Sequence, residues 1–305
     1  MSAPGGARPI LTVITPSFNQ GRFLTETIES VLNQDVPGLE YLIVDGGSTD
    51  ESVDVIRRYE KHLAWWVSEK DRGQAHAINK GLARATGEFV AYLNSDDAYL
   101  PGALHAALDL LQRAPGARWV SGGVIDFGPS DMRVYDWYLP HVPTTLLDCV
   151  TSRFQAAQPG HVWSREMVAG EGGFDESFRF LFDINLYASL LSRGERCLPL
   201  NRPLAAYRFH PSSKTVAEGD QFEGEWDRIR DRFVPELPFH QRLIARHRLA
   251  LRRSGSEYTR AARDLASGMP REARKRFMRA LAGYPPSLLS RSGLGCARRL
   301  FLGGA

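Results

Sequence analysis

An α/β fold with a mostly parallel central sheet flanked by helices, continued by a basic α-helical C-terminal extension, follows from three features of this 305-residue sequence. Short β-branched, apolar runs alternate with amphipathic stretches along residues 10–93. Three of those runs end in polar loops that carry Asp, and a parallel sheet gathers such loops along one edge. Charge is also divided: residues 1–227 hold 20 Lys+Arg against 30 Asp+Glu, whereas residues 228–305 hold 18 against 5.

Residues 10–15 are a β-branched run and predict a buried strand, which residues 16–21 break with turn-forming types. A helix follows, with Leu24, Ile28, Val31 and Leu32 on one face and a stop near Asn33. Residues 41–44 form the next strand, ending in Asp45-Gly46-Gly47-Ser48-Thr49-Asp50, and residues 52–59 are helical. A third strand at 65–68, a helix at 73–85 and a fourth strand at 89–93 complete the alternation. From Trp119 the pattern changes, and short strands at 119–124 and 132–138 predict a mixed extension of the sheet. Residues 182–192 read as a helix with Leu186, Leu190 and Leu191 facing inward. Beyond residue 218 the chain is helical and Arg-rich, with one helix over 229–253 and a short pair at 258–267 and 271–283.

With 43% hydrophobic residues the chain can bury a full core, as a large domain over 1–218 with an appendage over 219–305. No apolar run reaches the roughly 18 residues of a membrane span. Residues 1–9 are polar, without the apolar core of a signal peptide. Cys149, Cys197 and Cys296 lie far apart with no metal-ligand spacing, which fits a reducing cytoplasm. The basic extension points to an anionic partner. Arg230, Arg232, Arg242, Arg246, Arg248, Arg252 and Arg253 are interleaved with Phe233, Leu243, Ile244, Leu249 and Leu251. Such a helix can lie on an anionic membrane surface, a peripheral placement on the inner face, or can cap the acidic body; the two readings are compatible. Nucleic acid is not expected, because no recognition motif accompanies the charge.

The chemistry-bearing stretch is 87–97, where an apolar strand runs into two adjacent carboxylates, Asp96 and Asp97. Strand-end carboxylates in an open α/β sheet project into the ligand crevice. Hard oxygen ligands of this kind suit Mg²⁺ or Mn²⁺ held between protein and a diphosphate. The competing reading is an Asp N-cap that starts a helix near Leu104.

Four segments then occur in order: Thr15-Pro16-Ser17-Phe18-Asn19, Val44-Asp45-Gly46-Gly47-Ser48-Thr49-Asp50, Asn94-Ser95-Asp96-Asp97, and Gly172-Gly173-Phe174-Asp175-Glu176 leading to Asp183. Through them the first 215 residues resemble the non-processive family 2 glycosyltransferases, whose A-type nucleotide-sugar-binding fold is Rossmann-like. The resemblance implies metal-dependent, inverting transfer of a single sugar from a nucleotide-sugar donor to a hydroxyl of a glycan or lipid-linked acceptor. The setting it implies is cell-surface glycan or polysaccharide biosynthesis, with Mn²⁺ or Mg²⁺ as cofactor.

Residue by residue, Asp96 matches the metal-binding end of the family's Asp-x-Asp motif, and Asn94 stands where the first Asp usually is. Asp97 would ligate through water or orient Asp96. His210 would complete the metal site, with Arg208 or Lys214 on phosphate. Asp183 matches the carboxylate that serves as catalytic base, although a helix N-cap is the plain alternative. Donor contacts are expected from Pro16, Phe18, Asn19, Asp45, Asp71, Arg72, Gln74, Asn94, Ser95 and Asp96, while Glu69 and Lys80 read as solvated. Gly46 replaces an Asp that often recognises uracil. His161 is expected to be structural or acceptor-side, and Asp136, Trp137, Tyr138 and His141 are candidate acceptor contacts. The alternatives are a non-catalytic sugar-nucleotide-binding scaffold or a sugar nucleotidyltransferase, although residues 16–22 lack the latter's Gly-rich, basic phosphate loop.

Overall fold

The computed structural model describes residues 9–127, 137–138, 144–152, 158–208, 210 and 222–301. The chain divides into two compact units, the first ending at Phe233 and the second beginning at Val234.

In the first unit, β1 (Leu11–Ser17), β2 (Leu39–Asp45), β3 (Trp65–Ser68) and β4 (Phe89–Tyr92) lie in the order 3-2-1-4, all parallel. They are joined by α1 (Gly21–Leu32), α2 (Ser52–Tyr59) and α3 (Gln74–Arg84). Leu11, Val13, Ile28, Ile43, Val55 and Ala91 are among the residues that form the core between sheet and helices. The register pairs Ser17 with Asp45 and Asp45 with Ser68, so three strand ends stand side by side.

Strand β1 runs through Pro16 and Ser17, past the predicted turn at 16–21. Ile14 uses its carbonyl toward the β4 side, accepting from Leu93 N, and Pro16 has the same parity. Strand β4 ends at Tyr92, so the N–H that Pro16 lacks is not needed there.

Beyond β4 come β5 (Ala98–Tyr99), α4 (Ala103–Arg113), β6 (Trp119–Phe127), β7 (Trp137–Tyr138), α5 (Leu146–Val150), β8 (His161–Ser164), α6 (Arg165–Gly170), α7 (Phe182–Ser192), β9 (Leu198–Arg208) and α8 (Phe222–Phe233). Strand β8 joins β4 antiparallel, and the order continues β6, β9, β5, with only β6–β9 parallel. The mixed extension is therefore present. Strand β7 pairs with β6 over two residues, and the rest of the predicted 132–138 strand lies outside the described residues. Helix α8 packs against α5 and α7 and buries Ile229 and Phe233, so the first unit extends beyond residue 218.

His161 is fully buried between Trp163 and Tyr187, with ring centroids 5.4 and 4.5 Å away. Trp119 Nε1 donates to its Nδ1 at 2.9 Å, which leaves Nε2 to face Ser121 Oγ at 3.3 Å. Its environment is that of a core residue. Burial pushes the imidazole down to about 3, so the folded chain keeps it neutral while the unfolded chain gains a proton below about pH 6.5. Stability is therefore expected to fall, as pH drops from about 6.5 toward 3, by up to about 1.4 kcal/mol per pH unit from this residue. Urea unfolding of the wild type and of His161→Gln at pH 7 and 4.5 checks this. An unchanged pH dependence in the variant would refute the assignment.

The second unit holds α9 (Phe239–Ala266), α10 (Pro270–Gly283) and α11 (Arg291–Phe301) around Tyr258, Ala261, Phe277 and Cys296. The helix expected over 229–253 is instead broken at Val234–Glu236, where Pro235 and Pro238 interrupt the backbone ladder. The segment expected to start at 258 is the continuation of the 28-residue α9. Nothing breaks the helix there, and Ser254 Oγ bonds the Ala280 carbonyl across the hairpin. Gly268, with φ +74°, ends α9, while Met269 N reaches back to the Asp264 carbonyl. Phe239, Leu243, Met278, Leu289, Leu294 and Phe301 are exposed on this unit. Among the described residues, no helix is long and apolar enough to cross a membrane.

Candidate active site

The turn after β4 carries Asn94, Ser95, Asp96 and Asp97 directly into β5, not into a helix. Helix α4 starts only at Ala103, behind a left-handed Gly102. Asp97 is therefore no helix cap. The β5–β9 register, Ala98 with Ala206 and Tyr99 with Ala205, brings Arg208 beside the two carboxylates. Arg208 N donates to Asp97 Oδ1 at 2.9 Å, and its Nε donates to the Asp96 carbonyl at 2.9 Å. Its Nη2 pairs with Glu26 of α1.

Asp97 is buried, and its second oxygen accepts from Asn94 Nδ2 at 3.2 Å. Burial, and then the charge of Asp96, pushes its carboxyl well above the usual carboxylate range. With both oxygens engaged, Asp97 braces the turn. Gln74 Nε2 extends the chain of contacts by donating to Asn94 Oδ1 at 2.6 Å.

Asp96 keeps Oδ2 toward His210 Nε2, 3.0 Å away. His210 is nearly fully buried, and Arg22 Nη2 stands 3.3 Å from its Nδ1. Phe23 is the hub of this corner. Its ring lies 4.8 Å from the His210 ring, with the Arg22 and Arg208 guanidinium carbons 4.3 and 4.7 Å from its centroid.

No group of three or more His, Cys, Asp or Glu among the described residues forms a complete metal cage. Asp96 and His210 would supply one carboxylate oxygen and one imidazole nitrogen to a divalent cation, a donor set that suits Mn²⁺ or Mg²⁺.

The loop that follows β2 is held together by its own hydrogen bonds. Asp45 is fully buried and turned into its own loop, accepting from Gly47 N, Ser48 N, Ser48 Oγ and Ser68 Oγ. It holds the loop and does not face outward. Asn19, at φ +52°, donates from its N to Ser48 Oγ and accepts at Oδ1 from Thr49 N, both at 2.8 Å. Phe18 is 59% exposed. A Cβ at Gly46 would stand 3.3 Å from its ring and 2.6 Å from Asp71 Oδ2, so Phe18, Gly46 and Asp71 share one corner.

Arg72 is committed to Glu176 through Nε and Nη2 at 3.1 and 2.6 Å, Glu69 pairs with Lys80, and Pro16 and Ser95 are buried. Asp136, His141 and Lys214 lie outside the described residues, as do the side chains of Trp137 and Tyr138.

Asp183 is the second residue of α7, half-buried, and accepts from Ile184 N at 2.8 Å. Burial pushes its carboxyl up to about 6, against the pull of that N–H and with help from the charge of Glu225. The N-cap reading does not hold. The cap residue is Leu181, and the amides of Arg179, Phe180 and Leu181 donate to Glu225 of α8. Tyr92, at the end of β4, packs on Phe182 and feels both Asp183 and Asp97, which puts the two carboxylates on the same end of the sheet. Sequence reasoning missed Arg22, Phe23, Glu26 and Glu225. The first three form an unremarked stripe on α1, and Glu225 had only a helix-like polar pattern around it.

Residues 12–155 match the sequence model described as Glycosyl transferase family 2. The "Putative teichuronic acid biosynthesis glycosyltransferase TuaG" of Bacillus subtilis (strain 168) is 30% identical over 213 residues, covering 66% of this chain and 79% of TuaG. The GalNAc(5)-diNAcBac-PP-undecaprenol beta-1,3-glucosyltransferase of Campylobacter jejuni is 36% identical over 110 residues, 35% of each chain. In structure, S. aureus TarS 1-349 in complex with UDP-GlcNAc is similar at TM-score 0.57 and 18% identity, covering 77% of this chain and 79% of that one. Mannosyltransferase PcManGT from Pyrobaculum calidifontis, in complex with GDP-Man and Mn²⁺, is similar at TM-score 0.53 and 20% identity, covering 98% and 77%. At these identities the structural likeness is one of fold.

Proposed function

The chain belongs to glycosyl transferase family 2, and from that premise we propose that it moves a single sugar from a nucleoside-diphosphate donor to a hydroxyl acceptor, with inversion and with a divalent cation. The observation that carries the reading is Asp96 paired with His210 at the end of the sheet where Asp183 also stands. Asp96 and His210 would hold Mn²⁺ or Mg²⁺, which when bound offsets the charge that builds on a departing diphosphate. Asp97 and Arg208 fix the turn that aims Asp96. Asp183 takes the proton of the attacking hydroxyl, and a pKa near 6 leaves it ionised at neutral pH yet a stronger base than an ordinary carboxylate. One displacement inverts the anomeric centre.

The nucleobase stacks on Phe18, whose exposed ring borders Gly46. Asp71 Oδ2 occupies the space beside Gly46 and supplies from α3's leading loop the carboxylate that the family often carries at position 46. The similarity to TuaG and to the undecaprenol-linked glucosyltransferase supports cell-surface glycan synthesis and a lipid-linked acceptor.

The test is thermal stabilisation by UDP, GDP, UDP-GlcNAc, UDP-glucose and GDP-mannose, each with Mn²⁺ and with a chelator. A chelator-sensitive shift for one nucleoside diphosphate supports the reading and identifies the base. No shift with any of them would overturn it.

For the second unit we propose contact with an anionic membrane. Residues 234–305 hold 15 Lys+Arg against 4 Asp+Glu, and apolar side chains such as Phe239 and Leu243 are exposed beside Arg242. Near an anionic leaflet each basic side chain contributes about 1 kcal/mol. Flotation with phosphatidylglycerol vesicles is expected to capture the chain, and Arg242→Glu/Arg246→Glu to weaken capture by about tenfold or more. Equal capture by phosphatidylcholine vesicles would dismiss an electrostatic contact.

A further inference from the structure

We propose that Glu225 and Arg228, one turn apart on α8, are positioning residues for Asp183 that clamp the loop leading into α7. The proposal rests on Asp183 being the base, and its test separates the two.

Glu225 accepts three successive backbone amides: Arg179 N on Oε1 at 2.6 Å, then Phe180 N and Leu181 N on Oε2 at 2.9 and 2.8 Å. Arg228 seizes the same loop two residues earlier, donating to the Ser177 carbonyl at 3.0 Å and to Ser177 Oγ at 2.6 Å. Its guanidinium also lies 4.1 Å from the Phe178 ring centroid. The far end of the loop is fixed independently, because Asn79 of α3 brackets Phe174, donating to its carbonyl and accepting from its N at 2.8 Å each.

Leu181 supplies no side-chain cap, and the next residue but one is Asp183. A local Ser or Asp at the cap would terminate the helix just as well. A carboxylate brought from a helix more than forty residues downstream does something a local cap does not. It fixes three peptide planes immediately before the base with charge-assisted bonds, which are shorter and stronger than neutral ones.

The same carboxylate reaches Asp183 through its charge. Tyr92 from β4, Cys149 from α5 and Tyr187 from α7 also face Asp183, and among the described residues the charge that pushes its carboxyl up is that of Glu225. Removing that negative charge favours the ionised base, and so lowers its pKa.

The experiment compares wild type, Glu225→Gln, Arg228→Ala and Asp183→Asn. It follows nucleoside diphosphate release from UDP-GlcNAc, UDP-glucose and GDP-mannose with Mn²⁺ across pH 4.5–8, together with backbone hydrogen exchange of residues 177–184. Glu225→Gln is expected to lower kcat by about 10–100-fold with donor KM within about twofold, as a loosened catalytic group does. Its acid limb should move to lower pH, and amides 179–181 should exchange faster. Arg228→Ala should lower kcat and loosen the same loop without a downward shift, since it removes a positive charge. A purely structural role would reduce the amount of folded protein without moving the limb. Wild-type kcat, acid limb and exchange in Glu225→Gln would overturn the clamp. Should Glu225→Gln fail to fold, Arg228→Ala, at an exposed position, decides through kcat and exchange. An active Asp183→Asn would instead sink the base, while the exchange arm still reads the clamp.

Discussion

Asp183→Asn is expected to bind donor and cation as the wild type does while transfer falls by on the order of 10²–10⁴-fold, the usual contribution of a positioned general base. The substitution is isosteric, and Asn can still accept from Ile184 N, which now bonds Asp183 Oδ1. What it loses is the capacity to take a proton. The pH profile makes the test sharper. With its carboxyl pushed up to about 6, Asp183 is protonated over more of the acid range than an ordinary carboxylate. Wild-type kcat should therefore fall about tenfold per pH unit below about 6, the direction required of a group that works only when ionised. In Asp183→Asn the residual rate should have no such limb. A variant that transfers sugar at the wild-type rate would remove Asp183 from the mechanism.

Asp96→Ala should cost about a hundredfold or more in kcat/KM, because a cation at a developing phosphate charge supplies several kcal/mol. The fold of the turn should survive, since Arg208 Nε holds the Asp96 carbonyl and Asn94 and Arg208 N hold Asp97, none of them through the deleted side chain. The informative comparison is the Mn²⁺-dependent part of nucleotide stabilisation, which should vanish in the variant while the chelator-treated baseline stays. Full Mn²⁺-dependent stabilisation in Asp96→Ala would place the cation elsewhere.

The parallel half of the sheet was legible because β1, β2 and β4 are almost entirely buried, and that condition writes itself as continuous β-branched and aromatic runs. Asp96 and Asp97 were legible as strand-end carboxylates. Which of the two faced inward was not, because it depends on Arg208 N, which arrives from β9 more than a hundred residues later. Asp45 shows the same limit at shorter range: a carboxylate at a strand end can face the crevice or collect its own loop's amides, and Gly47 and Ser48 decide it. Glu225 left no trace, since a Glu in the first turn of a helix is unremarkable until the loop it holds is in view. The break between α8 and α9 was readable in Pro235 and Pro238, yet the Arg and Leu periodicity on either side continued across it and hid it.

The web that joins Asn19, Ser48 and Asp45 bears on the thermodynamics of donor binding. Ordering a flexible peptide costs about 1–2 kcal/mol per residue, so a six-residue loop that folded only around its ligand would forfeit much of a nucleotide's contact energy. Residues 45–50 are already fixed by bonds that involve no ligand. At the proposed donor site, affinity would be free of that entropic loss, and the heat-capacity change on binding should match the small apolar surface of a nucleobase on Phe18, with no added component from a folding loop.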